Sequence, residues 1–357
     1  RLVFVFALLS GVASIPLQST SDSNVVALTV SYCPTEFSGK GAVVAVDVST
    51  GNFTVIDKDW TWPDSSGWGC PENQDPNVLV DGKDVYLTFT SDWGFTTEVD
   101  THTGKVARSF PGKTKALEFD GFTAFSKKGL DFVGITPGVT EKGFCNDGCF
   151  QFGKQNLLTG EFTGEQFVPF KAAMTDVAYL DEKANIFYIQ ASYPLTPDVA
   201  CSKNETDQCL VALDAESGKV LSSKFANSFE VYMWAPQTLN QGSMLAWVFG
   251  FEKECAHPMN DFALARVTPA SASATLVACI PKNVTLHMDP NIASFNADGS
   301  MVATGSGNAE TGAVQVLVFD TKTGSTLVDS SLPGLKDALG VSKDAPFINI
   351  WAVSWMQ

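Results

Sequence analysis

Histidine is scarce in this chain, with 3 in 357 residues, and lysine and arginine number 23 against 39 aspartates and glutamates. A formal net charge of −16 repels phosphate backbones, so the composition argues against a nucleic-acid partner. No segment reaches the roughly 18 uninterrupted apolar residues a membrane helix needs, so no span is expected. The chain has no Cys-x-x-Cys and only scattered histidines, which argues against the common zinc spacings. It also lacks a Gly-x-Ser-x-Gly elbow, a His-Glu-x-x-His pair, a phosphate-binding loop and EF-hand spacing. Long helical periodicity is missing as well, which removes most fold classes other than all-β.

The segment RLVFVFALLSGVAS opens on one basic residue, continues as a short apolar run and ends in small residues. This is the layout of a secretory leader, with cleavage expected after Ala13 or Ser14, so residues 1–14 are a signal peptide and 15–357 one domain. Eight cysteines fit an oxidising, extracellular compartment. The most local pairing is Cys33 with Cys70, Cys145 with Cys149, Cys201 with Cys209 and Cys255 with Cys279, one of many possible connectivities. Sequons at Asn52, Asn204 and Asn283 add the expectation of a glycoprotein.

An internal repeat organises the rest. VVAVDVSTGNFTVID (43–57), TTEVDTHTGKVARSF (96–110), QNLLTGEFTGEQF (155–167), LVALDAESGKVLSSKF (210–225) and VLVFDTKTGSTLVDS (316–330) share one plan. In each, an apolar strand runs into an Asp or Asn, a turn closes on glycine, and a second strand leaves. The glycines at 51, 104, 160, 218 and 324 are separated by 53, 56, 58 and 106 residues. The double step predicts a sixth copy midway, and DFALARVTPASASATLVACI (261–280) supplies both strands without the turn glycine. Glycine suits the turn because it reaches positive φ without a steric penalty, and the Asp ahead of it can bond the turn's own backbone.

Two further apolar strands precede each hairpin, such as NVLV and DVYLTFT (77–90). Four strands per unit at this period predict a six-bladed β-propeller, with four antiparallel strands per blade. The chain ends in a lone strand, INIWAVSW, while its start supplies three, so pairing the C-terminal strand with the N-terminal blade closes the ring and removes an open edge. With these Asp-x-x-Thr-Gly hairpins the chain resembles the six-bladed propeller superfamily, including quinoprotein-like and YVTN-type repeats. The extracellular calcium-dependent lactonase propellers share the blade number, but no stretch matches their motifs closely enough to carry a catalytic residue over.

In such a ring the Asp-Gly turns lie at one mouth, and the loops that carry most of the cysteines lie at the other. An acid stands before each innermost strand, at Asp75, Asp120, Asp176, Glu230, Asp289 and Asp344, with Asn77 and Asn291 repeated after Asp-Pro in two of them. These acids either bond loop backbone or, as a subset, bind calcium, which takes six to eight oxygen ligands in flexible geometry. The loop WTWPDSSGWGCPENQDPN (60–77) crosses the same face, and its Trp60, Trp62 and Trp68 serve either as packing or as a platform for a glycan or protein ligand. His287, two residues before Asp289, is the one histidine beside the acids and the candidate general base. Two functions follow: a secreted, disulfide-bonded binding or structural module, or a calcium-dependent hydrolase of lactonase or esterase type at the channel mouth.

Overall fold

The computed structural model describes residues 24–35, 38–61, 77–81, 83–89, 95–110, 122–126, 131–137, 139–140, 143–144, 150–156, 159, 162–173, 178–226, 229–234, 243–251, 253–255, 263–279, 293–296, 298–307, 313–342 and 348–356. They form antiparallel sheets, each built from a contiguous stretch of chain except the first. That sheet contains β1 (Val25–Thr35), β2 (Ser38–Asp47) and β3 (Phe53–Trp60). The second holds β4 (Asn77–Asp81), β5 (Asp84–Phe89), β6 (Phe95–Asp100) and β7 (Lys105–Phe110). In the third, β8 (Phe122–Ser126) and β9 (Asp131–Pro137) are followed by a small ribbon, β10 (Val139–Thr140) and β11 (Gly143–Phe144), before β12 (Phe150–Asn156) and β13 (Phe162–Val168).

The fourth sheet comprises β14 (Phe170–Ala173), β15 (Tyr179–Asp181), β16 (Ile186–Pro194), β17 (Cys209–Asp214) and β18 (Val220–Phe225). The fifth is β19 (Glu230–Trp234), β20 (Met244–Phe249), β21 (Ala263–Thr268) and β22 (Ser273–Cys279). The sixth is β23 (Ala293–Phe295), β24 (Met301–Gly307), β25 (Val314–Asp320) and β26 (Thr326–Ser331). A short helix, α1 (Leu335–Leu339), leads to β27 (Ile348–Trp355), which pairs antiparallel with β1 and completes the first sheet. Serial antiparallel sheets, four-stranded except for the five-stranded fourth, packed on one another are the arrangement of a β-propeller.

Burial follows strand position. Ala42, Val43 and Val44 of β2 are all buried, as are Val316, Leu317 and Val318 of β25, because middle strands are covered on both faces. The outer strands β18, β22 and β26 instead mix exposed and half-buried residues along their length, with Ala278 of β22 the one buried residue among them. Covering a Val, Leu or Phe completely stabilises by about 1.5–3 kcal/mol, so these shared faces supply the main driving force.

Neighbouring sheets meet in chain order. One buried cluster joins Ala27, Val43 and Trp351 of the first sheet to Val78, Leu87 and Val99 of the second, while β4 contacts β8 of the third. Phe152 and Phe187 pack edge to face between the third and fourth sheets, with ring centroids 5.7 Å apart. Between the fourth and fifth, Gln190 Oε1 accepts the Val231 N–H (2.6 Å) and its amide donates to the Phe229 carbonyl (3.4 Å). Trp247 meets Phe319 across the fifth and sixth. The sixth returns to the first through Val316, Val318, Leu28 and Val44.

The Asp-Gly turns show why the repeat keeps glycine. Gly51, Gly104, Gly218 and Gly324 have φ of 72°, 71°, 70° and 70°. Each also approaches the preceding sheet, or for Gly51 the sixth, so closely that a Cβ would meet Ser330, Asp57, Phe152 or Val277 respectively. In the fifth sheet the turn residue is Ala272, which takes the same left-handed region at φ 47°. That turn is tied to the fourth sheet by Lys224 Nζ, which donates to the Ala270 carbonyl.

Candidate functional site: the loop face

In the second, fourth and sixth sheets the described residues between the inner-edge strand and its neighbour and those between the last two strands lie at one end. Thr101 N–H donates to the Lys83 carbonyl (2.8 Å), Ala215 N–H to Asn185 (2.9 Å) and Thr321 N–H to Ser300 (2.9 Å), binding the two turns together. Asp47, Asp100, Asp214 and Asp320 close the glycine turns by accepting backbone N–H groups on Oδ1, for example Ser49 at 2.8 Å and Ser217 at 2.7 Å. Hydrogen bonds from Ser49, Ser217 and Thr323 hold Asp47, Asp214 and Asp320 below the ordinary carboxylate range. Burial pulls Asp100 the other way, but the bonds from Lys83, Thr103 and His102 outweigh it. These acids are occupied in building turns.

The opposite end carries the elaborated loops. Cys201 and Cys209 are bonded across the loop between β16 and β17, with Cα atoms 5.7 Å apart, and Cys255 to Cys279 at 5.4 Å ties the corresponding loop of the fifth sheet to the end of β22. Both separations are those of ordinary disulfides, and both pairs are the ones local spacing anticipates. Cys33, at the same end, is also disulfide-bonded. Its expected partner, Cys70, lies outside the described residues, as do Cys145 and Cys149.

The root of the tryptophan loop is built in detail. Asp59 takes φ 69°, a costly conformation for a residue with a Cβ. Two contacts fix it: the buried Tyr32 hydroxyl donates to Asp59 Oδ1 (3.0 Å), and Lys40 Nζ stands 3.6 Å from the same oxygen. Burial, and then the Asp59 carboxylate, hold the Tyr32 phenol well above its usual range. The reversed backbone turns Trp60 inward, where its half-buried ring lies over Gly41 and 6.1 Å from the Trp351 ring, tilted by 51°. Thr61 beyond it is exposed. Alongside, Lys58 Nζ donates to the Ala338 carbonyl of α1 (3.0 Å), and the Ser342 N–H donates to the Cys33 carbonyl (2.8 Å).

Of the acids that precede innermost strands, Glu230 alone has a described side chain. It is the first residue of β19, half-buried, and burial raises its carboxyl above the ordinary range. Gln190 positions it by holding the backbone on both sides, at Phe229 and Val231. Asn77 is the first residue of β4. Asp75, Asp120, Asp176, Asp289, Asn291, Asp344, His287, Trp62 and Trp68 lie outside the described residues. Described strands begin shortly after several of them, at Asn77, Phe122, Ala293 and Ile348. Asp176 differs: the inner edge of the fourth sheet is divided into β14 and β15, and Asp176 falls between them. Among the described residues no three His, Cys, Asp or Glu side chains gather as metal ligands.

Other structural features carry no clear signal in the sequence. Nothing in the pattern marks Tyr32, Lys40 and Asp59 as a cluster, because they meet through register rather than spacing. Gln190 reads as an ordinary polar residue in a strand. Helix α1 is hinted at only by Gly334 and Gly340, both at positive φ, bracketing the buried Leu335 and Leu339.

No protein-family profile matches the chain, and no curated protein matches it. Among the described residues no helix is long and apolar enough to cross a membrane. Among solved structures, the chain is similar to TolB from Acinetobacter baumannii, at 12% identity over 87% of this chain and 66% of that one, with a TM-score of 0.47. The match thus spans just under two thirds of that protein's length. A provisionally assigned TolB from Agrobacterium tumefaciens is similar at 12% identity over 85% of this chain and 89% of that one, with a TM-score of 0.46.

Proposed function

We propose that residues 15–357 form a six-bladed β-propeller, exported behind the leader at 1–14, that acts as an extracellular binding module for a glycan or protein ligand. The carrying observation is the asymmetry of its two ends. One carries four near-identical Asp-Gly turns among the described residues, while the other bears two disulfide-stapled loops and a rigid launch point for the tryptophan loop. Binding sites concentrate on elaborated loops held by a rigid scaffold. The serial packing of the six sheets, with the sixth on the first, supports the ring. The disulfides support an oxidising compartment outside the cytosol.

In this reading Trp60 anchors the loop, and Trp62 and Trp68 supply aromatic faces to the ligand. The acids at the inner-strand starts, Asp75, Asp120, Asp176, Glu230, Asp289 and Asp344 with Asn77 and Asn291, are proposed to include a calcium site that shapes the same mouth. The test is a Trp62→Ala/Trp68→Ala double variant on an immobilised glycan array and against extracellular-matrix protein preparations. Binding by the parent chain that falls at least tenfold in the variant, with an unchanged melting temperature, supports the site. Equal binding by both rejects it.

A further inference from the structure

Residues 195–208, between β16 and β17, are described throughout and form a compact, stapled loop. Val199 is buried beneath it, and Cys201–Cys209 closes its base. Its tip is held by Asp207, which accepts from Ser202 Oγ on one carboxylate oxygen (2.5 Å) and from Asn204 Nδ2 on the other (2.8 Å). The Thr206 hydroxyl in turn donates to Asn204 Oδ1 (3.0 Å). Asn204, Glu205 and Thr206, the sequon, are all exposed.

Beside this tip runs an exposed apolar ledge. Tyr193 is 41% exposed and Leu195 37%. The Tyr193 N–H donates to the Glu205 carbonyl (2.8 Å), so Asn204 is one residue from the point where Tyr193 is bonded. Tyr193 also takes φ 56°, a region in which a bulky residue is an outlier and which often marks a functional constraint. A tyrosine held in a strained backbone and 41% exposed is only partly accounted for by packing within the chain.

We infer that Asn204 carries an N-linked glycan whose first sugars lie on the Tyr193–Leu195 ledge, an inference that rests on the export proposed above. In the covalent step Asn204 Nδ2 forms a bond to the sugar's anomeric carbon as that carbon's bond to a lipid-linked diphosphate donor breaks. The diphosphate leaves with the bonding pair, and one amide proton passes to solvent. One N–H remains on Nδ2, the number its contact with Asp207 uses. An aromatic face gives the apolar side of a sugar ring a large contact area with little side-chain entropy to lose. Asn52 has no comparable surface in its own sheet: the exposed large apolar side chains among the described residues are Phe167, Tyr193, Leu195, Leu221, Phe225 and Leu327, none in the first sheet.

The experiment expresses the full chain, behind an initiator methionine and with residues 1–14 retained, in secretory eukaryotic cells, and maps glycopeptides of the secreted protein by mass. Asn204 is expected to be occupied. In a Thr54→Ala/Thr285→Ala background, the melting temperature is then compared between the glycosylated chain, the chain trimmed to one sugar, and chain made with donor synthesis blocked. The glycan should raise it by roughly 1–3 °C, most of that retained after trimming, and by no more than half as much in Tyr193→Ala. Tyr193→Leu replaces that variant if it is not secreted. Secreted protein bare at Asn204, or an equal shift with and without the tyrosine ring, overturns the inference and leaves export standing. A chain retained in the cell and unmodified at all three sequons overturns the export reading, and this inference with it.

Discussion

Four copies of one turn allow backbone strain to be separated from crowding by the neighbouring sheet. Gly51, Gly104, Gly218 and Gly324 differ by no more than 2° in φ, so replacing each by alanine imposes the same left-handed strain, about 1–2 kcal/mol. The alanine also restricts the unfolded chain, which returns about 0.4–1 kcal/mol. The common net cost is therefore about 1 kcal/mol. What differs is the neighbour. At Gly51 the new methyl would stand 3.1 Å from Ser330 Oγ, which can rotate away, so Gly51→Ala should cost little more than the common term. At Gly104 it would lie 2.6 Å from Asp57 Cβ and 2.9 Å from the Asp57 backbone nitrogen, and at Gly218 2.5 Å from the Phe152 ring. Overpacking of this kind adds about 1–3 kcal/mol, for a total of about 2–4. At Gly324 the methyl would run into the Val277 backbone carbonyl, which no rotamer change can relieve, so Gly324→Ala should be the worst. Urea titrations of the four variants, read as midpoint shifts at constant slope, should rank Gly51 mildest, Gly104 and Gly218 intermediate, and Gly324 most severe. Four equal costs, or Gly51 ranking worst, would refute the claim that the neighbouring sheets crowd these glycines to different degrees.

Gln190→Ala removes the acceptor of the Val231 N–H and the donor to the Phe229 carbonyl in a buried setting, so urea denaturation should register a loss of about 2–3 kcal/mol. A loss below about 0.5 kcal/mol would show that solvent replaces both bonds. The turn carboxylates of Asp47, Asp100, Asp214 and Asp320 are depressed in the folded chain, so their contribution is complete above the unfolded carboxylate range and is lost as pH falls through the lower folded values. Melting temperature should accordingly drop below about pH 4, and Asp214→Asn should flatten part of that drop; an unchanged acid profile in the variant rejects the assignment. For the proposed calcium site, a chelator should lower the melting temperature and excess calcium restore it, with a gain of about 1.4–2.7 kcal/mol at ten to a hundred times the dissociation constant. Asp289→Ala should abolish the response, and a chelator-insensitive melt removes the site.

The strand plan was legible because its signals are local. An Asp four residues ahead of a glycine specifies a turn by its own hydrogen bonds, and the double step between Gly218 and Gly324 located the fifth sheet's hairpin although its glycine is replaced. The structure shows why that copy survives: Ala272 itself enters the left-handed region, at a cost the surrounding sheet must absorb. The pairing of β27 with β1 was legible from unmatched strands at the two termini. The split of the fourth sheet's inner edge was not, since Phe170–Ala173 and Tyr179–Asp181 are short segments, each with a charged residue, and neither gives a sign that the two divide one edge. The root of the tryptophan loop was hidden for another reason. Asp59, Tyr32 and Lys40 meet only because β1, β2 and β3 pair in a particular register, with shifts near Gly41 and Val43. The acids before the inner strands were visible as a regularity, but among them only Glu230 has a described side chain, and its raised carboxyl reflects burial rather than a charged partner.

The difference between the two ends follows from what each must satisfy. At the turn end Gly51, Gly104, Gly218 and Gly324 each approach an adjacent sheet, so a side chain added there meets both strain and a neighbour, and the same five-residue solution recurs. At the loop end the chain is longer between strands, and each extension exposes backbone and adds entropy that something must limit. The observed devices are different in each case: a disulfide within one loop, a disulfide from a loop to an outer strand, and a left-handed aspartate clamped by a buried tyrosine. Uniform restraints at one end and individual restraints at the other are expected of a scaffold whose variation has been confined to one face, which is why the proposed ligand recognition is placed there rather than among the Asp-Gly turns.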